Sequence, residues 1–136
     1  MRERRIEIRW RDMDAYGHVN NAVYLTYLEQ ARDEWIQGLL GSVTDTWDFV
    51  LAHVEIDYRS ELTQDDAEVT VRCGLERVGT SSIRTREEIR KRDGTLSAEA
   101  SAVIVPREGR AGGSRPLSEQ ERSLLEADRE LPRPGS

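Results

Sequence analysis

The sequence predicts an α+β fold in which one long helix packs against an antiparallel β-sheet. Several segments alternate apolar and polar residues with the period of a half-buried strand, whereas the segment that begins at Ala22 has the period of a helix. The order is one strand, the helix, and then four strands joined by short turns. Such turns favour antiparallel pairing of consecutive strands.

The first strand is predicted near the start of the chain. Ile6, Ile8 and Trp10 alternate with charged residues, so one face of this strand should be buried. A polar segment, residues 12–21, then interrupts the alternation.

The long helix is predicted to contain about 18 residues, which corresponds to a length of about 27 Å. Its apolar residues fall on one stripe, which consists of Tyr24, Tyr27, Leu28, Ala31 and Trp35. Asn20 and Asn21 are both suitable N-cap residues, and Gly38 and Gly41 are both suitable ends.

The remaining strands follow a loop over residues 41–47. They are predicted at residues 50–58, 69–79, 82–92 and 96–106. Asp93-Gly94 is a strong hairpin signal between the last two strands. A short helix is predicted over residues 117–127, where Ser118 and Glu121 have the spacing of a capping box. Residues 1–128 are therefore interpreted as one domain and residues 129–136 as a C-terminal tail.

The composition excludes several classes of function. The formal net charge is -6 and the pI is about 5.0, which argues against a general binder of nucleic acid or of membrane surfaces. Hydrophobic residues make up 37% of the chain, a thin core that invites self-association. There is one cysteine, no signal-peptide pattern and no apolar run of membrane-spanning length, so a cytoplasmic location is expected.

Asp14 is the main candidate for chemistry, because it stands on a glycine-containing loop just before the helix. The start of a helix offers N–H groups without intrahelical acceptors and a partial positive charge. A carboxylate beside it can act on a carbonyl whose oxygen those N–H groups hold, as acyl transfer requires. The alternative is structural, because aspartate is a frequent turn former and N-cap. Asp12 is assigned to hydrogen bonding within the loop.

The segment 14–32, Asp-Ala-Tyr-Gly-His-Val-Asn-Asn-Ala-Val-Tyr-Leu-Thr-Tyr-Leu-Glu-Gln-Ala-Arg, resembles the signature of hotdog-fold acyl-CoA thioesterases. Within them it is most similar to the 4-hydroxybenzoyl-CoA thioesterase-like group, in its Asp-x-x-Gly-His-Val-Asn-Asn branch. The similarity continues through Val-Glu-Ile-Asp-Tyr-Arg at 54–59, Val-Gly-Thr-Ser-Ser-Ile at 78–83 and Arg-Pro-Leu-Ser-Glu at 115–119. It covers roughly residues 4–127 in the same order.

This resemblance implies a sheet that wraps around the helix and a homodimer or homotetramer with active sites between subunits. Asp14 matches the catalytic carboxylate of the family. The backbone amides of Asn21 and Ala22 match the donors that hold the thioester oxygen. Some members carry a histidine at position 21, so an imidazole-assisted step is not expected here. No cofactor and no metal are expected, because the two histidines and one cysteine are far apart in sequence.

A CoA or carrier-protein thioester also carries phosphate, so a local cationic patch is expected. Arg77 and Arg84 flank the turn between the third and fourth strands, and Arg59 is expected behind them. Ser81 and Ser82 can donate to a phosphate or to the pantetheine arm. The alternative is a solvated strand face.

Other side chains are candidates for contact with the acyl thioester. His18 can orient Asp14 or line the pocket, or it can simply cap the loop backbone. Tyr24 belongs either to the core and interface or to the acyl site. Trp47 and Phe49 are candidate walls of an acyl pocket.

The sequence therefore predicts an acyl-CoA or acyl-carrier-protein thioesterase. The alternatives are a hotdog protein that binds acyl thioesters without hydrolysis and, less favoured, a hotdog dehydratase. A dehydratase normally needs a histidine on the helix, and residues 22–35 contain none. Asp14 acts either as a general base or as a nucleophile, and the acyl group is not determined.

Overall fold

The computed structural model describes residues 1–128, so the predicted tail at 129–136 lies outside the described residues. The strands are β1 (Arg2–Glu7), β2 (Phe49–Tyr58), β3 (Glu68–Val78), β4 (Ile83–Lys91) and β5 (Leu96–Pro106). The helices are α1 (Asn21–Leu40) and α2 (Glu119–Asp128), and three short 3-10 turns connect other elements. The α+β class is confirmed. Within residues 1–128, no helix combines the length and apolar character that a membrane crossing demands.

The five described strands form one antiparallel sheet in the order β1-β3-β4-β5-β2. Consecutive pairing holds from β3 to β5, where short turns join the strands. It is wrong for β2, which pairs with β5 at the edge of the sheet, so that Tyr58 lies opposite Ala98 and Phe49 opposite Pro106. The reason is the connection at 59–67, which is long enough to carry the chain across the sheet to β3.

The first strand is shorter than the alternation predicts. Ile6 and Ile8 are buried as expected, but Trp10 is 84% exposed. The chain leaves the sheet after Glu7, and a 3-10 turn at Trp10–Asp12 follows. The Asp12 carboxylate accepts the Arg9 backbone N–H at 2.9 Å, which closes this turn and directs the Trp10 ring away from the core.

Helix α1 begins and ends where its sequence signals predict. Asn20 is the N-cap, with its side-chain oxygen 2.9 Å from the Ala22 nitrogen, and Gly41 follows the last helical residue. The predicted apolar stripe is fully buried against the sheet, as shown by Tyr24, Tyr27, Leu28, Ala31 and Trp35.

The buried face of α1 also carries four polar groups, and each bonds to a different part of the fold. The contacts are Tyr24 with the Leu62 backbone (3.1 Å), Tyr27 with Asp12 (2.6 Å), Arg32 with Glu87 (two bonds of 2.8 Å) and Trp35 with Asp128 (3.1 Å). Apolar packing alone allows a helix to slide, whereas hydrogen bonds are directional. These contacts fix α1 along its own axis and so place its N-terminal amides.

Helix α2 starts with the predicted capping box. The Ser118 N–H donates to Glu121 at 2.8 Å, and the Glu121 N–H donates to the Ser118 hydroxyl at 3.1 Å. Arg115 also donates to both Glu121 carboxylate oxygens at 2.8 Å. The Arg115 hydrogen bonds lower the Glu121 pKa to about 2, in spite of its burial.

Candidate active site

The loop that carries Asp14 is a tight hairpin. Met13 and Val19 pair across it, and the Asp14 N–H donates to the His18 carbonyl at 2.7 Å. Gly17 has a φ of +83°, in the left-handed region that favours glycine. The glycine therefore lets the chain reverse within five residues and places Asp14 beside the start of α1.

Asp12 connects this loop to α1 and to the turn that precedes it. Its carboxylate is buried and accepts the Tyr27 hydroxyl at 2.6 Å and the Arg9 guanidinium at 3.0 Å. Its backbone carbonyl accepts the Asn20 N–H at 2.9 Å. Burial alone would raise the Asp12 pKa, but the hydrogen bonds from Tyr27 and Arg9 outweigh it and the pKa is lowered. The assignment of Asp12 to loop hydrogen bonding is confirmed.

Asp14 is half-buried and holds the turn with one of its two oxygens. Its Oδ1 accepts the backbone N–H groups of Tyr16 at 2.9 Å and His18 at 3.2 Å. Both bonds are made to the same carboxylate oxygen, and Oδ2 takes part in neither. The turn-forming interpretation is therefore correct for Oδ1, and it leaves Oδ2 for a water molecule or a substrate.

Asp14 lines a pocket of about 200 Å³ at the N-terminal end of α1. Five residues predicted from the sequence meet there, namely Asp14, His18, Asn21, Tyr24 and Arg59. The other lining residues are Val19, Tyr58, Ser60 and Glu61, which the sequence interpretation did not include. Val19 belongs to the loop before α1, whereas Tyr58, Ser60 and Glu61 lie at or just after the end of β2. Only the pairing of β2 with β5 brings that end to the start of α1.

Charged groups surround the rim of this pocket. His18 Nε2 lies 3.1 Å from a Glu61 carboxylate oxygen, so the ring faces Glu61. The His18 backbone N–H, by contrast, donates to Asp14. Arg59 donates to Glu99 at 2.6 Å and lies 3.7 Å from Asp57. The Arg59 charge is thus largely balanced within the subunit.

The helix start presents two amides with different partners. The Asn21 N–H occupies the first helical position and has no acceptor within the helix. The Ala22 N–H donates to Asn20 Oδ1 at 2.9 Å, so the side chain of the N-cap residue already provides its acceptor. The Asn21 carbonyl accepts the Tyr58 hydroxyl at 3.0 Å.

The predicted phosphate patch lies elsewhere on the subunit. Arg77 and Arg84 face each other across β3 and β4 near Ser81 and Ser82, and Arg84 donates to a serine of β5 at 3.0 Å. Arg84 lies opposite residue 103 of β5, whereas β2 reaches the pocket opposite residue 98. Five strand residues span about 17 Å. The expectation that Arg59 stands behind Arg77 and Arg84 is therefore wrong for a single subunit.

A larger groove runs between α1 and β2, with a volume of about 570 Å³. Trp47, Phe49 and Ile36 line it, and a neighbouring pocket adds Leu51 and Ile104. Its wall is partly apolar, as an acyl site would be. Within residues 1–128, no group of three histidine, cysteine, aspartate or glutamate side chains could hold a metal ion.

Comparison with known proteins places the chain in a family. The model of the thioesterase-like superfamily matches residues 8–120. The long-chain acyl-CoA thioesterase FadM of Escherichia coli K12 is 33% identical over 107 residues, which cover 74% of this chain and 78% of FadM.

Solved structures agree in fold over nearly the whole chain. A thioesterase from Thermus thermophilus, described as complexed with coenzyme A and Zn, has a TM-score of 0.84 at 34% identity and covers 96% of this chain and 95% of its own. A protein described as a predicted thioesterase from Bacillus stearothermophilus has a TM-score of 0.85 at 27% identity, with 98% of both chains covered. The family match over most of the chain, together with these relatives, shows that this protein belongs to the thioesterase-like superfamily.

Proposed function

We propose that this protein hydrolyses acyl-CoA thioesters, or acyl-carrier-protein thioesters, to a free acid and a thiol. The observation that carries this proposal is the pocket that Asp14 lines together with Asn21, the first residue of α1. Membership of the thioesterase-like superfamily supports it, as does the activity named for FadM. We also propose that the protein belongs to the Gly-His-Val-Asn-Asn branch of the 4-hydroxybenzoyl-CoA thioesterase-like group, whose signature residues 14–32 resemble.

In the proposed reaction, Asp14 acts on the thioester carbonyl through its Oδ2. As a general base it removes a proton from water, and the water oxygen attacks the carbonyl carbon. The C–S bond then breaks, and the thiolate takes the proton back from Asp14. In the covalent alternative, Asp14 attacks the carbonyl carbon, and the C–S bond breaks to release the thiolate and leave a mixed anhydride. Water then hydrolyses the anhydride, which frees the acid, restores the Asp14 carboxylate and supplies the proton that the thiolate takes up.

The negative charge that develops on the carbonyl oxygen is held by the N–H groups of Asn21 and Ala22. The helix dipole adds to this stabilisation, and removal of one such donor typically costs about 100- to 1000-fold in rate. The substrate oxygen displaces Asn20 Oδ1 from the Ala22 N–H. The substrate oxygen therefore exchanges one acceptor of the Ala22 N–H for another, and this amide keeps one hydrogen bond throughout.

We further propose that two copies associate through β2. This strand is an edge, and its inner face is apolar and partly uncovered, with Leu51 48% exposed and Tyr58 45% exposed. An unpaired, apolar edge strand is a template for another strand. Pairing with a second copy would extend the sheet, which would then wrap around the two α1 helices.

Antiparallel pairing of two β2 strands has a direct consequence for the substrate. It sets the Phe49 end of one strand beside the Tyr58 end of the other. The α1–β2 groove and the patch of Arg77, Ser81, Ser82 and Arg84 then approach the Asp14 pocket of the second copy. The proposed acyl site is this groove, and the proposed phosphate site is this patch.

The test is hydrolysis by an Asp14→Asn variant. Asparagine keeps Oδ1, which accepts the Tyr16 and His18 N–H groups, so the loop should keep its shape. The variant removes the basic oxygen, and kcat should fall at least about 100-fold across acyl-CoA substrates of different chain length. Release of the CoA thiol measures the rate, and Asp65→Asn, at an exposed aspartate outside the pocket, is the matched control.

Full activity of Asp14→Asn would remove Asp14 from the reaction. Wild-type protein that binds acyl-CoA but releases no thiol would instead identify a binding protein. A panel of long-chain, short-chain and aromatic acyl-CoA substrates identifies the acyl group in the same assay.

A further inference from the structure

Tyr58 is a pocket residue to which the proposed reaction gives no role. Its hydroxyl donates to the Asn21 carbonyl at 3.0 Å, in the first turn of α1. Its ring meets the Tyr24 ring edge to face, with the centroids 5.0 Å apart and the planes at 80°. Two independent contacts therefore hold this side chain against the helix start.

The Tyr24 ring is a rigid support for Tyr58. Tyr24 is buried, and its hydroxyl accepts the Leu62 N–H at 3.1 Å. Edge-to-face aromatic pairs are favourable beyond the area that they bury. The orientation of the Tyr58 hydroxyl thus depends on the core, although Tyr58 itself is partly exposed.

The carbonyl that accepts this hydroxyl belongs to the same peptide group as the Ala22 N–H. Hydrogen bonds in a chain polarise one another, so a donor at the oxygen makes the N–H on the other side of the peptide a stronger donor. The same bond also fixes the plane of this peptide group, and hence the direction in which the Ala22 N–H points.

We propose that Tyr58 is a positioning residue that orients and polarises the Ala22 amide toward the carbonyl oxygen of the substrate. This inference rests on the proposed function, in which the Ala22 amide is one of the two oxyanion donors. Tyr58 acts through the Asn21–Ala22 peptide. Its effect belongs to the transition state, where the negative charge on the oxygen is largest.

The first test is Tyr58→Phe, which removes the hydroxyl and keeps the ring against Tyr24. The kcat for acyl-CoA hydrolysis should fall about threefold to tenfold, the effect of one ordinary hydrogen bond, while KM stays within about twofold. A change in KM with an unchanged kcat would show that Tyr58 only contacts substrate, which would overturn the inference.

The second test reads the amide itself. In a ¹⁵N–¹H spectrum of the full chain, the Ala22 ¹⁵N resonance should move to lower frequency in Tyr58→Phe, because its peptide carbonyl has lost a donor. Tyr16→Phe removes an exposed phenol from the neighbouring loop and should leave this resonance in place. Incorporation of 3-fluorotyrosine at position 58, a stronger donor, should shift the resonance in the opposite direction.

An unmoved Ala22 resonance in Tyr58→Phe would overturn the inference even if Asp14→Asn is inactive. Conversely, an active Asp14→Asn variant would reject the proposed mechanism, while the spectrum would still report whether Tyr58 polarises the amide. The two failures are therefore distinguishable.

Discussion

The buried hydrogen bond between Tyr27 and Asp12 should contribute to both stability and activity. It joins the first half of α1 to the loop that carries Asp14, with 2.6 Å between the two oxygens, and both side chains are buried. Burial and the hydrogen bond to Asp12 raise the pKa of Tyr27, so the phenol is the donor in this bond at neutral pH. Tyr27→Phe removes this donor and keeps the ring in the core.

The expected loss follows from the charge on the acceptor. Hydrogen bonds to charged groups contribute about 1.5–3 kcal/mol, so the free energy of unfolding should fall by about 2 kcal/mol. An unfolding entropy of about 2.1 cal/mol/K per residue gives about 0.29 kcal/mol/K for this 136-residue chain. The melting temperature should therefore fall by about 7 °C.

Thermal and urea denaturation measure this loss, and CoA release measures activity on the same samples. The kcat should fall as well, because Asp12 also holds Asn20 at the start of α1. Tyr16→Phe is the stability control, since its ring is 85% exposed. A Tyr27→Phe variant within about 0.5 kcal/mol of wild type would refute the claim that this bond anchors the loop.

Two further predictions concern pH and assembly. Glu121→Gln should lower the free energy of unfolding at pH 7 by about 1–3 kcal/mol. Because the pKa of Glu121 in the folded protein is lowered to about 2, the stability difference between wild type and variant should be present above about pH 4.5 and should vanish as the pH falls toward 2. Denaturation curves at several pH values measure this difference. Equal pH dependence in both proteins would contradict this. Leu51→Lys places a charge on the inner face of β2, so this variant should elute as a monomer from size-exclusion chromatography and should release little thiol from acyl-CoA. Glu119→Lys, on the exposed side of α2, should elute as wild type. An active Leu51→Lys dimer would exclude the β2 interface.

Much of the fold was predictable because its signals are local. The helix period from Tyr24 to Trp35 reports which side faces the core. Asn20 at the N-cap and the Ser118–Glu121 box each involve residues within three positions of one another. The class of the fold follows from these elements and their order.

The site was predictable in part. Asp14 and Asn21 precede and open the same helix, so sequence proximity alone places them together. Tyr58 and Glu61 lie more than 35 residues further along the chain, and no local pattern connects them with Asp14. The resemblance to a family pointed to Asp14 but not to the hydroxyl that contacts the Asn21 carbonyl.

The sequence by itself determined the type of each element, the ends of α1 and the carboxylate beside the helix start, because each depends on backbone geometry and on neighbours within one or two turns. Only the tertiary structure decided which strand lies at the edge and which side chains complete the pocket. Strand order depends on contacts between residues such as Tyr58 and Ala98, 40 positions apart, and on the path of the 59–67 connection. The burial of apolar surface selects that arrangement, and it does so for the whole sheet at once rather than segment by segment.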